Sequence, residues 1–193
     1  MLPTNATLLV IDVQQGFLDP SWGPRNNRQA EANIARLIEA WRHDGRPVRH
    51  VHHSSRSATG TFVEGTPGFQ PKPEATVVAG ERVHVKKVNS SFIGTTLEQE
   101  LRDAGVDTLV VVGLTTNHCV STTVRMAGNL GFTVYLVADA TATFDRLGLD
   151  GEMRPAAEVH EAALSDLSEE FATIVNTAEM LRKLDAPQPL VTA

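Results

Sequence analysis

Residues 110–124 read VVVGLTTNHCVSTTV and hold the only cysteine of the chain, Cys119. The β-branched run from Thr108 to Val112 predicts a strand buried on both faces, and Cys119 to Leu130 predicts a helix. Small polar residues lie between them, so the thiol sits at a strand-to-helix turn. A lone cysteine can simply be a buried apolar residue. Thr115, Thr116, Asn117 and His118, however, fill a core poorly and supply caps and hydrogen bonds well, which makes Cys119 a candidate nucleophile. At a helix N-terminus, unpaired N–H groups and the macrodipole favour the reactive thiolate, so a depressed thiol pKa is expected.

The same pattern recurs on either side. Leu8 to Ile11 is a short apolar run ending in Asp12, and Pro47 to Val51 opens a second strand. Glu81 to Val85 leads into Lys86 and Lys87, Thr133 to Ala138 ends at Asp139, and Phe171 to Val175 makes a sixth strand. Helical spacing falls between them. Ile34, Leu37, Ile38 and Trp41 mark Glu31 to His43, stopped by Asp44-Gly45, while Thr95-Thr96-Leu97-Glu98 matches a capping box ahead of the Leu97, Leu101, Ala104 stripe. Arg154 to Leu167 and Thr177 to Leu184 close the series, with His160 read as a structural or interface histidine. This alternation predicts an α/β chain of three layers, α/β/α, with a mostly parallel six-stranded Rossmann-like sheet and helices on both faces, in one domain over residues 1–193.

Two long segments interrupt it. Gln14 to Arg28 carries Phe17 and Trp22 in a chain with only 5% aromatic residues, so these two either wall a pocket over the strand ends or pack the loop down. Ser54 to Ala79, rich in Gly, Pro, Ser and Thr, reads as a lid or an oligomer contact. Thr141 to Gly151 is a further loop.

A net charge of -6 argues against nucleic acid or an anionic membrane as partner and would suit a neutral or cationic small molecule. No apolar run approaches the 18 residues of a membrane span. One cysteine cannot form an internal disulfide, and MLPTNATLLVID lacks a basic leader, so a cytoplasmic protein is expected. Neither GxGxxG nor GxxxxGK[ST] occurs, which removes support for a dinucleotide or nucleoside-triphosphate site.

In open parallel sheets ligands sit beyond the carboxyl ends of the strands, where Asp12, Cys119 and one of Lys86 or Lys87 would meet. A thiolate needs a cation and a proton carrier beside it, and these residues supply both. Alternation sends the two lysines to opposite faces, so at most one enters the crevice. His50, His52 and His53 invite a metal, but period-2 alternation splits them and no Asp-x-His or His-x-x-x-His spacing completes a ligand set. Contacts at the pocket rim are expected instead.

VIDVQQGF (10–17), VKKVNSSFIGTTL (85–97), VVGLTTNHCVSTTV (111–124) and VADATAT (137–143) together resemble the isochorismatase-like cysteine hydrolases, which include nicotinamidases and N-carbamoylsarcosine amidohydrolase. The resemblance runs in order from about residue 7 to about residue 180. It implies an Asp-Lys-Cys triad on Asp12, Lys86 and Cys119, with Lys86 chosen because the family lysine stands four residues before a Ser-Ala-Phe motif, here Ser90-Ser91-Phe92. It also implies a non-proline cis peptide at Leu114-Thr115 and an oxyanion hole from the N–H groups of Thr115 and Cys119. The Asp-x-His metal motif of the nicotinamidases is not reproduced in RHVHHS (49–54), so no metal and no cofactor are expected. Members that hydrolyse the vinyl ether of isochorismate can work without the cysteine, and Cys119 therefore argues for C–N hydrolysis.

The resulting expectation is a hydrolase of a small amide, ureide or lactam, an antibiotic lactam of the streptothricin kind being one possibility. Phe17, Trp22 and His53 are the expected pocket walls, and a homodimer or tetramer is implied by the family. A vinyl-ether hydrolase using Asp12 as general acid and a non-catalytic α/β module are the alternatives.

Overall fold

In the computed structural model, which describes residues 2–185, the chain places β1 (Thr7–Ile11), β2 (Val48–His53), β3 (Arg82–Lys86), β4 (Thr108–Leu114), β5 (Thr133–Ala142) and β8 (Thr173–Val175) in one sheet. Its order is β3-β2-β1-β4-β5-β8 and every pairing is parallel. β1 and β4 are buried along their whole length, as continuous apolar runs at the centre of a parallel sheet require. Their side chains alternate between two cores. Leu8, Val10, Val110 and Val112 face Ile34, Leu37 and Trp41 of α1 (Ala30–His43) and Met180 of α5 (Thr177–Asp185). Leu9, Ile11, Leu109 and Val111 face Leu101 of α2 (Leu97–Asp103), Val124 of α3 (Ser121–Asn129) and Leu164 of α4 (Ala156–Ser165). Each fully buried side chain of this size contributes about 2 kcal/mol, so the two-sided burial of β1 and β4 fixes the strands that carry the site.

α1 ends where expected. Gly45 adopts φ 66, its N–H bonding to Arg42 O at 3.1 Å while Arg46 N–H reaches Trp41 O at 2.9 Å, a left-handed turn that glycine enters without steric cost. Gly113 is constrained more tightly. At φ 124, its missing Cβ would lie 2.0 Å from Ile11 O of β1, and on its other side the register of β4 against β5 shifts between Val111 and Gly113.

Several boundaries differ from the sequence expectation. β5 runs past Asp139 to Ala142, and the Asp139 carboxylate instead caps α5, accepting from Thr177 N–H at 2.7 Å and Thr177 Oγ1 at 2.8 Å. The segment read as a loop at 141–151 includes β6 (Arg146–Leu147), which pairs with β7 (Met153–Arg154) as an antiparallel hairpin, so α4 starts only after Pro155. β8 is shorter than expected because Phe171 packs on α3, with the Arg125 guanidinium 4.8 Å from its ring. No capping box forms at α2. The Thr96 hydroxyl donates to Glu100 Oε1 at 2.7 Å, and Thr95 Oγ1 takes the Leu97 N–H at 3.3 Å.

Candidate active site

The strand order reverses between β1 and β4. The connection after β1 passes to α1 on one face and that after β4 to α3 on the other, which opens a crevice at their carboxyl ends. Asp12 follows β1, Thr115 to Cys119 follow β4, and Lys86 ends β3. Lys86 reaches the crevice across the end of β2, where it is in register with His53.

Asp12 holds φ 52, a left-handed conformation costly for any residue but glycine. Both it and Lys86 are buried, and Lys86 Nζ donates to Asp12 Oδ2 at 2.6 Å. Lys87, the neighbouring candidate, is exposed. Asp12 Oδ1 is buried without a hydrogen-bond partner, and a carboxylate oxygen of Asp12 lies within 4.8 Å of Cys119 Sγ. Burial raises the Asp12 pKa, and the Lys86 ammonium opposes that rise.

Cys119 does not start a helix. Residues Thr116–Val120 form one π turn, with Val120 N–H on Thr115 O at 3.2 Å, and α3 begins only at Ser121. The expected thiolate is also overturned. Burial pushes the thiol pKa up to about 12, the Asp12 charge adds to the rise, and Lys86 only partly offsets it. Desolvation of an anion here outweighs the pull of a helix terminus. The site thus sets a buried thiol beside the buried Asp12–Lys86 pair.

The Leu114-Thr115 peptide bond is cis. Thr115 lines the crevice, and its N–H meets no protein acceptor among the described residues. The turn is braced from behind by groups that pattern reading did not connect. Thr116 Oγ1 lies 2.8 Å from His160 Nδ1 on α4, and Asn117 Oδ1 accepts from Thr143 Oγ1 at 2.6 Å. Ser91, after Lys86, contacts Thr123 Oγ1 on α3 through both its N–H (3.1 Å) and its hydroxyl (2.9 Å).

The three clustered histidines part company. His50 bonds Glu81 at 2.8 Å, and His52 packs edge-on against Phe69, its pKa driven down to about 4 by burial. His53 points into the crevice with Nδ1 3.1 Å from Lys86 Nζ. An ammonium only donates, so Nδ1 must accept and the proton of the neutral ring sits on Nε2. Burial and the Lys86 charge both hold His53 below its usual pKa. Donor atoms of Asp12, His53 and Cys119 lie within 4.8 Å of one another. The set does not fit a metal, because the Lys86 ammonium already stands against both Asp12 and His53.

A cavity of about 280 Å³ rises above these groups, lined by Phe17, Trp22 and His53, all three of the expected walls, and by Phe62, Asn89 and His118. Phe17 lies 5.0 Å from Trp22 and 4.8 Å from Phe62 between ring centroids, and Trp22 stacks on Phe144 at 5.4 Å. Phe62 comes from the segment read as a lid or an oligomer contact, and that segment is pinned to its surroundings. Gln14 donates to His53 O and Phe69 O and accepts from His53 N–H, while Lys72 pairs with Glu31 of α1. The scarcity of aromatics that marked Phe17 and Trp22 marks Phe62 equally.

A family model described as the isochorismatase domain matches residues 6–179. The chain belongs to the isochorismatase family. It is thus an isochorismatase-family hydrolase, and its parallel sheet with flanking helices is the family's fold. The isochorismatase family protein YrdC of Bacillus subtilis is 44% identical over 90% of this chain and 93% of its own length. Nicotinamidase 3 of Arabidopsis thaliana is 30% identical over 93% and 88%, and a streptothricin hydrolase of Streptomyces noursei 32% over 95% and 73%. The structure of an isochorismatase-family protein from Chromobacterium violaceum superposes with a TM-score of 0.93 at 45% identity, over 96% of each chain. Among the described residues, no helix of this isochorismatase-family chain is long and apolar enough to cross a membrane.

Proposed function

We propose that this isochorismatase-family protein hydrolyses the C–N bond of a small, partly planar amide, ureide or lactam through a thioester on Cys119. The observation that carries this reading is Asp12 Oδ1, buried and unpartnered beside a protonated thiol in the wall of a cavity. A carboxylate whose pKa is raised by burial is the better base. As Sγ bonds to the substrate carbonyl carbon, the thiol proton passes to Asp12 Oδ1, and the N–H groups of Thr115 and Cys119 receive the developing oxyanion. The C–N bond then breaks as Asp12 returns that proton to the leaving nitrogen. Water attacks the thioester, giving a proton to Asp12, and the departing Cys119 sulfur takes it back. Lys86 stays an ammonium throughout and holds Asp12 in place. One oxyanion donor is typically worth about 100- to 1,000-fold in rate.

The aromatic wall of Phe17, Trp22 and Phe62 suits a flat substrate, and two relatives are named for acting on nicotinamide and streptothricin. The reading includes one domain over the whole chain, a cytoplasmic location suited to a lone thiol, and self-association as a dimer or tetramer. For the last, Leu147, Leu149 and Met153, exposed on the β6–β7 hairpin, supply apolar surface that sedimentation would test. The deciding experiment is release of ammonia or amine from a panel of small amides by the wild type, Cys119→Ala and Asp12→Asn, with intact-mass detection of an acyl adduct. Both variants should be inactive. No amide turnover, together with hydrolysis of a vinyl ether such as isochorismate that survives Cys119→Ala and is lost in Asp12→Asn, would point to vinyl-ether chemistry instead.

A further inference from the structure

We propose that His160 is a positioning residue for the reaction at Cys119. Its ring clamps the Thr116 hydroxyl and thereby fixes the turn that presents the thiol and the Thr115 N–H to the substrate. The inference rests on the amide-hydrolase reading and adds to it a residue of α4 that lies outside the cavity.

α4 buries Ala156, His160, Ala163 and Leu164, and His160 is the polar exception on this otherwise apolar face. A buried imidazole is costly unless its nitrogens are bonded. Its Nδ1 meets Thr116 Oγ1 at 2.8 Å, across 44 residues of chain. Thr116 is fully buried, and its hydroxyl has no other hydrogen-bond partner among the described residues. A hydroxyl both donates and accepts, so either neutral tautomer of His160 sustains the contact.

The far side of the ring is held as well. Nε2 lies 3.4 Å from Asn27 Nδ2, and that amide donates to Ala138 O at 3.0 Å and to Thr141 O at 2.8 Å. Thr141 and Ala142 are in register with Gly113 and Leu114, the last residues of β4 before the turn. His160 therefore bridges the nucleophile turn to the end of the strand pair from which that turn departs.

What it fixes is the peptide between Thr115 and Thr116. The Thr115 carbonyl accepts from His118 N–H at 3.1 Å and from Val120 N–H at 3.2 Å, which closes the π turn around Cys119. A rotation at Thr116 would release these two bonds together, move Sγ relative to Asp12 and re-aim the Thr115 N–H. Asn117, held by Thr143 Oγ1, restrains the next residue and not this peptide. Neither His160 nor Thr116 lines the cavity above Cys119, so their loss should spare substrate binding and degrade the chemical step.

The test sets Thr116→Val, which keeps the shape and deletes the hydroxyl, and His160→Phe against Thr116→Ser and His160→Asn, which keep a hydrogen-bonding group at the contact. Thr177→Val is the structural control, losing a buried hydroxyl bond of 2.8 Å to Asp139 on the opposite face of the sheet. On the best amide of the panel, Thr116→Val and His160→Phe should lower kcat about 10- to 100-fold, the scale of a displacement near 1 Å, with KM within about 2-fold of wild type. Thr116→Ser and His160→Asn should recover most of that loss, and Thr177→Val should leave kcat unchanged even where it lowers the urea midpoint. A second readout needs no turnover. Release of the turn should loosen the burial of Cys119 and speed its labelling by iodoacetamide in Thr116→Val, but not in Thr116→Ser or Thr177→Val. If the wild type hydrolyses an amide and kcat of Thr116→Val stays within about 2-fold of it, or falls no further than in Thr177→Val, the positioning role is refuted while the hydrolase reading stands. If no amide is hydrolysed, labelling decides. Faster labelling confined to Thr116→Val and His160→Phe upholds the role, and equal rates in all folded variants refute it. Should His160→Phe not fold, Thr116→Val against Thr116→Ser gives the same decision.

Discussion

Asp12→Asn should make Cys119 more reactive toward alkylation and, at the same time, abolish amide hydrolysis. In the wild type, burial and the Asp12 carboxylate both raise the thiol pKa, to about 12, against the pull of Lys86. With an ordinary thiol near 8.5, the thiolate fraction at pH 8 should be about three orders of magnitude below that of a free cysteine. The substitution removes a negative charge and leaves Lys86 in place. Donor atoms of Asp12 and Cys119 lie within 4.8 Å. At an effective dielectric near 20, a unit charge at about that distance is worth about 3.5 kcal/mol, or about 2.5 pKa units. Iodoacetamide labelling at pH 8 should therefore accelerate by about 100-fold or more. The chain has one cysteine, so the intact-mass time course from pH 6 to 10 reports this thiol alone. Wild-type labelling at the rate of a free thiol near neutral pH, slowed by Asp12→Asn, would mean a preformed thiolate and would refute the general-base account of Asp12.

Three further outcomes follow from the same geometry. Lys86→Met should cost about 3–5 kcal/mol in urea unfolding at pH 8, because it strands a buried carboxylate. With its folded pKa raised still further, Asp12 is stable only when protonated, so this deficit should shrink toward pH 5, and a pH-independent loss would contradict the pair's role. Gly113→Ala, placing a Cβ against Ile11 O, should cost about 3 kcal/mol or more and lower activity as well, since β1 and β4 carry the site. A thermal shift within a degree of wild type would count against it. His52, pushed down to about 4, binds its proton more weakly folded than unfolded. Stability should therefore fall as pH drops from about 6.5 to 4, by up to about 3 kcal/mol from this residue. His52→Phe should flatten that acid limb in guanidinium titrations, and an unchanged limb would dismiss His52 as its source.

The β1 and β4 runs, the stop at Gly45 and the stripe of α1 were legible because burial on both faces, left-handed turns and helical periodicity are local properties. So was the convergence of Asp12, Cys119 and one lysine, since a parallel sheet brings all its carboxyl ends to one edge. The choice of Lys86 needed the family motif or the burial that the structure records. Phe62 lay within reach of the reasoning that found Phe17 and Trp22 but sat in a segment without periodicity. The hairpin of β6 and β7 spans two residues a strand, too short to leave an alternating pattern.

Sequence alone thus determined the parallel sheet and the chemical types at its edge. What only the tertiary structure decided were energies that depend on surroundings. Burial and then Asp12 push the Cys119 pKa up, burial and then the Lys86 charge hold His53 below its usual range, and the histidines diverge because their contacts come from segments distant in the chain. Desolvation and Coulomb terms are set by three-dimensional distance, which no local pattern encodes.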